Sequence, residues 1–217
     1  MVLELYLIRH AESVYNAENN LIVGGQSNHI QLSDKGVRQA LLLGQRLKDE
    51  KIIFDEVYSS TADRALNTAM IVCASIQYPI SKIKKSKRVL ELDQGDWTGR
   101  RREQVYTPNI KRILDADSWN FRPPNGESQK MVAERMYGFM LENIVNDYSG
   151  DADRSVAVFS HGNAIKCFLK KIMESHPKYI SRLSINNASI THLCYEAWGE
   201  WNIDTIGDVR HLRHNIQ

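Results

Sequence analysis

Three short apolar runs, at residues 2–8, 54–58 and 155–159, are each followed by a segment patterned as a turn and then a helix. No other feature constrains the chain as much. Runs this short, bounded by turn residues and helix-like segments, suit buried strands. The clearest helical pattern covers 34–50, where Val37, Ala40, Leu41, Gly44 and Leu47 share a face and Ser33 stands at the N-cap position. Similar patterns predict helices over 62–74, 128–145 and 164–173, and 190–195 reads as a late strand. Strand and helix in alternation imply an α/β fold, a three-layer sandwich whose mainly parallel central sheet is flanked by helices, with right-handed crossovers. No linker or internal repeat interrupts the pattern, so a single domain over 1–217 is expected, with an irregular insertion or lid at about 88–125 that carries Pro108, Pro123 and Pro124.

Composition removes several function classes. With 42% hydrophobic residues in 217, the chain can bury a substantial core. The 28 basic residues nearly cancel the 26 acidic ones, which argues against a polyanion binder acting through charge alone. No stretch approaches the length of an apolar membrane helix. Cys73, Cys167 and Cys194 are far apart and form no CxxC pair, so they suit neither a disulfide framework nor a zinc knuckle and are expected to pack as small apolar groups. The opening residues have no basic segment followed by an apolar run and a cleavage site, and a cytoplasmic location is expected. Asn187-Ala188-Ser189 is a glycosylation tripeptide of the kind that arises by chance.

Ligands of an open α/β sheet bind beyond the carboxyl ends of its strands. There the first run leads into Arg9-His10-Ala11-Glu12-Ser13, the second into Ser59-Ser60 with Arg64 one turn into the next helix, and the third into Ser160-His161-Gly162-Asn163. Two guanidinium groups beside two imidazoles repel a cation and suit a dianion such as phosphate. Helix N-termini at the same edge add backbone donors. An imidazole facing phosphorus can attack it, so the residues imply covalent phosphoryl transfer to one histidine, with the arginines and the other histidine neutralising the charge.

These segments resemble the histidine phosphatase superfamily, also called the phosphoglycerate mutase-like family, over most of the chain. Its RHG-E-S/T-x-W-N segment corresponds to Arg9-His10-Ala11-Glu12-Ser13-Val14-Tyr15-Asn16, and its L-S-x-x-G-x-x-Q-A run to Leu32, Ser33, Gly36, Gln39 and Ala40. S-S-x-x-x-R-A-x-x-T-A corresponds to Ser59-Ser60, Arg64-Ala65 and Thr68-Ala69, and E-x-x-x-G-x-W-x-G to Glu91, Gly95, Trp97 and Gly99. Gly126-Glu127-Ser128, Ser160-His161-Gly162 and His211-Leu212 follow in order. The resemblance implies that His10 is the nucleophile, that Arg9, Arg64, His161 and Asn16 hold the phosphoryl group, and that Glu91 donates the proton, with Asp93 as an alternative donor two residues away. Two departures stand out: Ala11 replaces the glycine of RHG, placing a methyl next to the phosphate nest, and Tyr15 replaces tryptophan.

The implied activity is metal-independent hydrolysis of a small phosphorylated metabolite. The alternatives are a phosphomutase, which returns the phosphoryl group to the substrate, and a non-catalytic phosphate-ligand binding module. The modest length favours hydrolysis. No cofactor, metal, nucleic acid or membrane is called for, and a homodimer is left open. Lys82, Lys84, Lys85, Lys87 and Arg88 read as a solvated face, whereas Arg100, Arg101 and Arg102, just beyond the acid loop, are candidates for a second anionic group of the substrate. Ser27, Asn28, Trp119 and Phe121 are expected in the substrate pocket; His29, His176, His192 and His214 receive no role.

Overall fold

A computed structural model describes residues 1–17, 21–196 and 199–213; His214 lies outside the described residues. In chain order the elements are β1 (Leu3–Arg9), α1 (Val14–Ala17), α2 (Asp34–Asp49), β2 (Glu56–Ser60), α3 (Asp63–Ser75), β3 (Lys84–Ser86), α4 (Arg102–Val105), α5 (Pro108–Asp117), α6 (Gln129–Met140), β4 (Arg154–Ser160), α7 (Gly162–Ile172), β5 (Ile190–Tyr195) and β6 (Trp201–Asp208). The six strands form one sheet in the order β3-β2-β4-β1-β5-β6. The β1–β4, β2–β4 and β2–β3 pairs are parallel, while β1–β5 and β5–β6 are antiparallel. The mainly parallel α/β sandwich expected from the sequence is therefore present.

Period-two alternation divides each central strand between two cores. Leu3, Leu5 and Leu7 of β1, with Val156 and Val158 of β4, pack beneath α6 and α7. Tyr6, Ile8, Ala157 and Phe159 face the opposite way, against α2 and α3. Phe159 is wholly buried, and truncating such a side chain costs about 3–5 kcal/mol. A third, smaller cluster of Val23, Trp97 and Val105, flanked by Tyr106, Ile110 and Phe121, brings 88–125 together with the loop before α2.

Helix starts follow their caps. Ser33 accepts from the Gly36 amide at 3.0 Å, Thr107 from Ile110 at 3.4 Å ahead of Pro108, and Ser128 from Met131 at 3.2 Å. The helical pattern over 128–145 divides: α6 ends at Met140 and a wider turn follows, in which the Asn146 amide donates to the Leu141 carbonyl at 2.8 Å. In α2 the inward face is Gly36, Gln39, Ala40, Leu43, Gly44 and Leu47, and Val37 and Leu41 are exposed. Two strands absent from the sequence reading, β3 and β6, close the edges of the sheet. Cys73 and Cys167 are buried as expected, but Cys194 is half-buried and its thiol donates to Asp204 Oδ2 at 3.0 Å. Among the described residues no helix is long and apolar enough to cross a membrane.

Candidate active site

Register builds the inner end of the cleft. Arg9 and Ser160 are paired in the parallel β1–β4 ladder, so the residues that follow, His10 and His161, leave adjacent strands side by side. Their rings lie 5.1 Å apart at 60°, and the His10 amide donates to the Ser160 carbonyl at 3.0 Å. His10 Nδ1 is 2.7 Å from the Ala11 carbonyl oxygen. A carbonyl can only accept, so Nδ1 carries the hydrogen and Nε2 keeps its lone pair. Burial, then the charges of Arg64 and Arg9, hold His10 well below imidazole's ordinary pKa, and it is neutral at pH 7. His161 is depressed in the same way, by burial first and then by Arg64. Its Nε2 is 2.8 Å from Ser60 Oγ, and among the described residues its buried Nδ1 has no hydrogen-bond partner.

Arg9 Nη1 donates to the Ile185 carbonyl at 2.7 Å, while its buried Nε has no partner among the described residues. Arg64 donates to the Ser27 and Gly25 carbonyls at 2.7 and 3.1 Å. Burial disfavours the charge on both guanidinium groups, and Glu91 partly offsets this for each. Two buried guanidinium groups beside two neutral imidazoles make a site whose charge suits an anion.

The sequence motifs flanking His10 are the scaffold of this nest. Gly36 lets α2 approach so closely that a Cβ there would collide with the Glu12 carbonyl oxygen. Gln39 Oε1 accepts from the Glu12 amide at 2.8 Å, and Ser33 Oγ donates to Glu12 Oε1 at 2.9 Å. Thr68 Oγ1 accepts the Ala11 amide at 3.0 Å and donates to the Arg64 carbonyl at 2.7 Å. The Ala11 methyl faces the apolar cluster under α2, so the departure from glycine leaves the nest undisturbed. Asn16 lines the cleft, and its Oδ1 receives the Ser13 amide and hydroxyl at 3.2 and 3.0 Å. Asn187, given no role in the sequence reading, donates through Nδ2 to both the His10 carbonyl and Asn16 Oδ1 at 3.1 Å. Only its place in a turn just before β5 could have marked it.

Glu91 also lies on the cleft wall, at the start of α7. Its carboxylate accepts from the Leu92 amide at 2.8 Å and from Asn163 and Ala164 at 3.2 Å, where the helix dipole favours negative charge. Arg135 fixes the loop: it clamps Glu127 at 2.8 and 2.9 Å and donates to the Glu91 carbonyl at 2.9 Å. Glu127 Oε2 in turn accepts the Asp93 amide at 3.1 Å. Asp93 Oδ1 closes a turn onto the Gly95 amide at 2.8 Å, and Asp93 does not line the cleft.

The cleft has a volume of about 360 Å³. Outward from the nest its wall carries Ile22, Val23, Leu114 and the stacked Trp97–Phe121 pair at 5.5 Å, with Gln94, Ser118 and Gln129 among them. Arg102 is the one cation lining this outer part among the described residues, lying 4.6 Å over the Tyr106 ring. Ser27 and Phe121 line the cleft as expected, whereas Asn28 and Trp119 do not. Trp119 packs against the core under α6 and α7 with Lys170 Nζ 4.3 Å over its ring. Arg100 and Arg101 also lie off the wall, and Arg101 pairs with Glu103 at 3.4 Å.

Known proteins resemble this chain over nearly its whole length. A protein named probable phosphoglycerate mutase from Cronobacter sakazakii is 33% identical over 218 residues, covering 97% of this chain and 95% of its own. Mycobacterial glucosyl-3-phosphoglycerate phosphatase shares the fold with a TM-score of 0.82 at 23% identity, covering 96% of this chain and 100% of that one. Phosphoserine phosphatase from Entamoeba histolytica, solved with phosphoserine as a mutant, has a TM-score of 0.81 at 23% identity, over 97% and 99% of the two chains. The sequence pattern described as the histidine phosphatase superfamily (branch 1) matches residues 5–209, and the chain belongs to that family.

Proposed function

We propose that the protein hydrolyses a small phosphomonoester through a phosphohistidine at His10, without a metal. The observation that carries this reading is the neutral His10 ring with its free Nε2 lone pair, set beside two buried guanidinium groups. Nε2 attacks phosphorus as the ester P–O bond breaks; Glu91, which takes up a proton when the anionic phosphoryl group binds beside it, supplies that proton to the departing oxygen. The phosphorylated ring becomes cationic, and its Nδ1–H stays on the Ala11 carbonyl, which stabilises that charge. Arg9, Arg64 and His161, in the tautomer with its hydrogen on Nδ1, neutralise the equatorial oxygens. In the second half Glu91 takes a proton from water, the water oxygen attacks phosphorus, the P–N bond breaks and His10 returns to its neutral state. The guanidinium charges repel a cation from this end, so the chemistry is assigned to side chains alone.

A phosphomutase is the second reading, favoured by the name of the Cronobacter relative. It would have to hold a doubly phosphorylated carboxylate while excluding water. Among the described residues the outer wall offers that species a single arginine beside uncharged side chains, many of them aromatic or aliphatic, which supports hydrolysis of an ester whose alcohol is partly apolar. Release of phosphate from p-nitrophenyl phosphate in excess EDTA is expected, and a strict need for a divalent metal would overturn the proposal. Isomerisation of 3-phosphoglycerate with little phosphate released would establish the mutase instead.

A further inference from the structure

We infer that Glu4, His192 and Cys194 form a binding site for a zinc-class divalent cation, on the sheet and away from the cleft. Glu4 is paired with Cys194, and Tyr6 with His192, across the antiparallel β1–β5 ladder. Alternation therefore puts all three side chains on one face. One ligand atom from each lies within 4.8 Å of the others. A cation with bonds of about 2.0–2.3 Å needs ligand atoms on the order of 3.5 Å apart, so closure takes small side-chain rotations and no backbone change.

The state of His192 is the independent observation. Its Nδ1 is 3.2 Å from Asp204 Oδ2, and the ring stacks on Tyr6 at 4.3 Å and 30°. The Asp204 carboxylate beside Nδ1 favours the tautomer with the hydrogen on that nitrogen and the lone pair on Nε2, the arrangement by which a carboxylate orients a metal-binding imidazole. That Nε2 is buried and has no hydrogen-bond partner among the described residues. Its nearest charged neighbour, Glu4 Oε1, is 3.8 Å away, too far for a hydrogen bond from a protonated ring. A cation between Nε2, the Glu4 carboxylate and Cys194 Sγ would satisfy the atom that the protein leaves unpaired.

One sulfur, one imidazole nitrogen and one carboxylate oxygen suit zinc better than magnesium or calcium, and three protein ligands leave a fourth position for water. On binding, the Cys194 thiol, now donating to Asp204 at 3.0 Å, loses its proton to the buffer as the S–metal bond forms. Glu4 lies five residues before Arg9, roughly 17 Å along the strand, so the cation would clasp β1 to β5 without entering the phosphate nest.

The test is titration of tag-free, EDTA-treated full-length protein with Co²⁺, followed by competition with Zn²⁺. The expected result is one equivalent bound, with the near-ultraviolet charge-transfer absorption of a thiolate–cobalt bond, displaced by Zn²⁺ and accompanied by proton release. Cys194→Ser should abolish the band, and Asp204→Asn should weaken binding about 10–100-fold. Each variant should hydrolyse p-nitrophenyl phosphate at the wild-type rate, which reports that it is folded. Absence of the band in the wild-type protein, or the same band in Cys194→Ser, would overturn the inference.

Discussion

The two ends of the cleft are built by different means. At the inner end four charged or reacting side chains are tied to backbone: His10 to the Ala11 carbonyl, Arg9 to Ile185, Arg64 to Ser27 and Gly25, and Glu91 to the start of α7. The outer wall sets aromatic and aliphatic side chains from 88–125 and the loop before α2 beside Gln94 and Ser118, and its one cation among the described residues rests on an aromatic ring. A nest held this way positions charge at fixed points, as phosphoryl transfer requires. An apolar wall sorts leaving groups by shape and size, with less discrimination per contact. Reaction type therefore resides in strand ends and substrate choice in the segment above them.

Substitutions can separate the two ends. Arg64→Met removes a cation that touches the phosphoryl oxygens whatever the alcohol, and kcat/KM should fall by about 10³-fold for every ester, the scale of a lost transition-state donor. A loss confined to some esters would break the comparison. Glu91→Gln should slow turnover about 10²–10³-fold for alkyl phosphates and far less for p-nitrophenyl phosphate, whose leaving group needs little protonation. Equal slowing would remove Glu91 from the acid role. Arg102→Ala, at the outer wall, should raise KM about tenfold, or ~1.4 kcal/mol, for esters with a second anionic group and under threefold for those without one. A uniform effect would dissolve the division between ends.

The smallest expected effect is on protons. Because the folded protein holds His10 and His161 below the ordinary imidazole value of about 6.5, the unfolded chain takes up protons in acid that the native state refuses. Stability should therefore be full above about pH 6.5 and decline as pH falls through the window below it. Thermal melts between pH 7.5 and 5 would record this as a falling Tm, and imidazole NMR signals of both residues should show no inflection near 6.5. An inflection at that value would mean that the site is open to water.

Much of this was legible in the sequence because the nest follows from register. Strands ending at Arg9, Ser60 and Ser160 deliver His10 and His161 to neighbouring positions, and the short apolar runs mark those strands. Other parts were hidden for physical reasons. The inner face of α2 buries Gly36 and Gln39 against Glu12, so a face defined by apolar residues was rotated toward Val37 and Leu41. β3 is three residues with two lysines, and β6 alternates on an edge, so neither shows a buried run. Only analogy with the family places Trp119 at the pocket, and it packs against the main core instead. Among Arg100, Arg101 and Arg102, only the turn into α4 decides which one faces the cleft, and Asn187 sits in a loop whose contacts are all distant in sequence.

The most direct test of the account is to trap the covalent state. The protein is mixed with substrate, quenched rapidly without acid and mapped by mass spectrometry, with Glu91→Gln used to slow the second half of the reaction. A phosphoryl group on His10 that disappears in His10→Ala together with turnover is the predicted result. No adduct at His10, with turnover intact in His10→Ala, would contradict it.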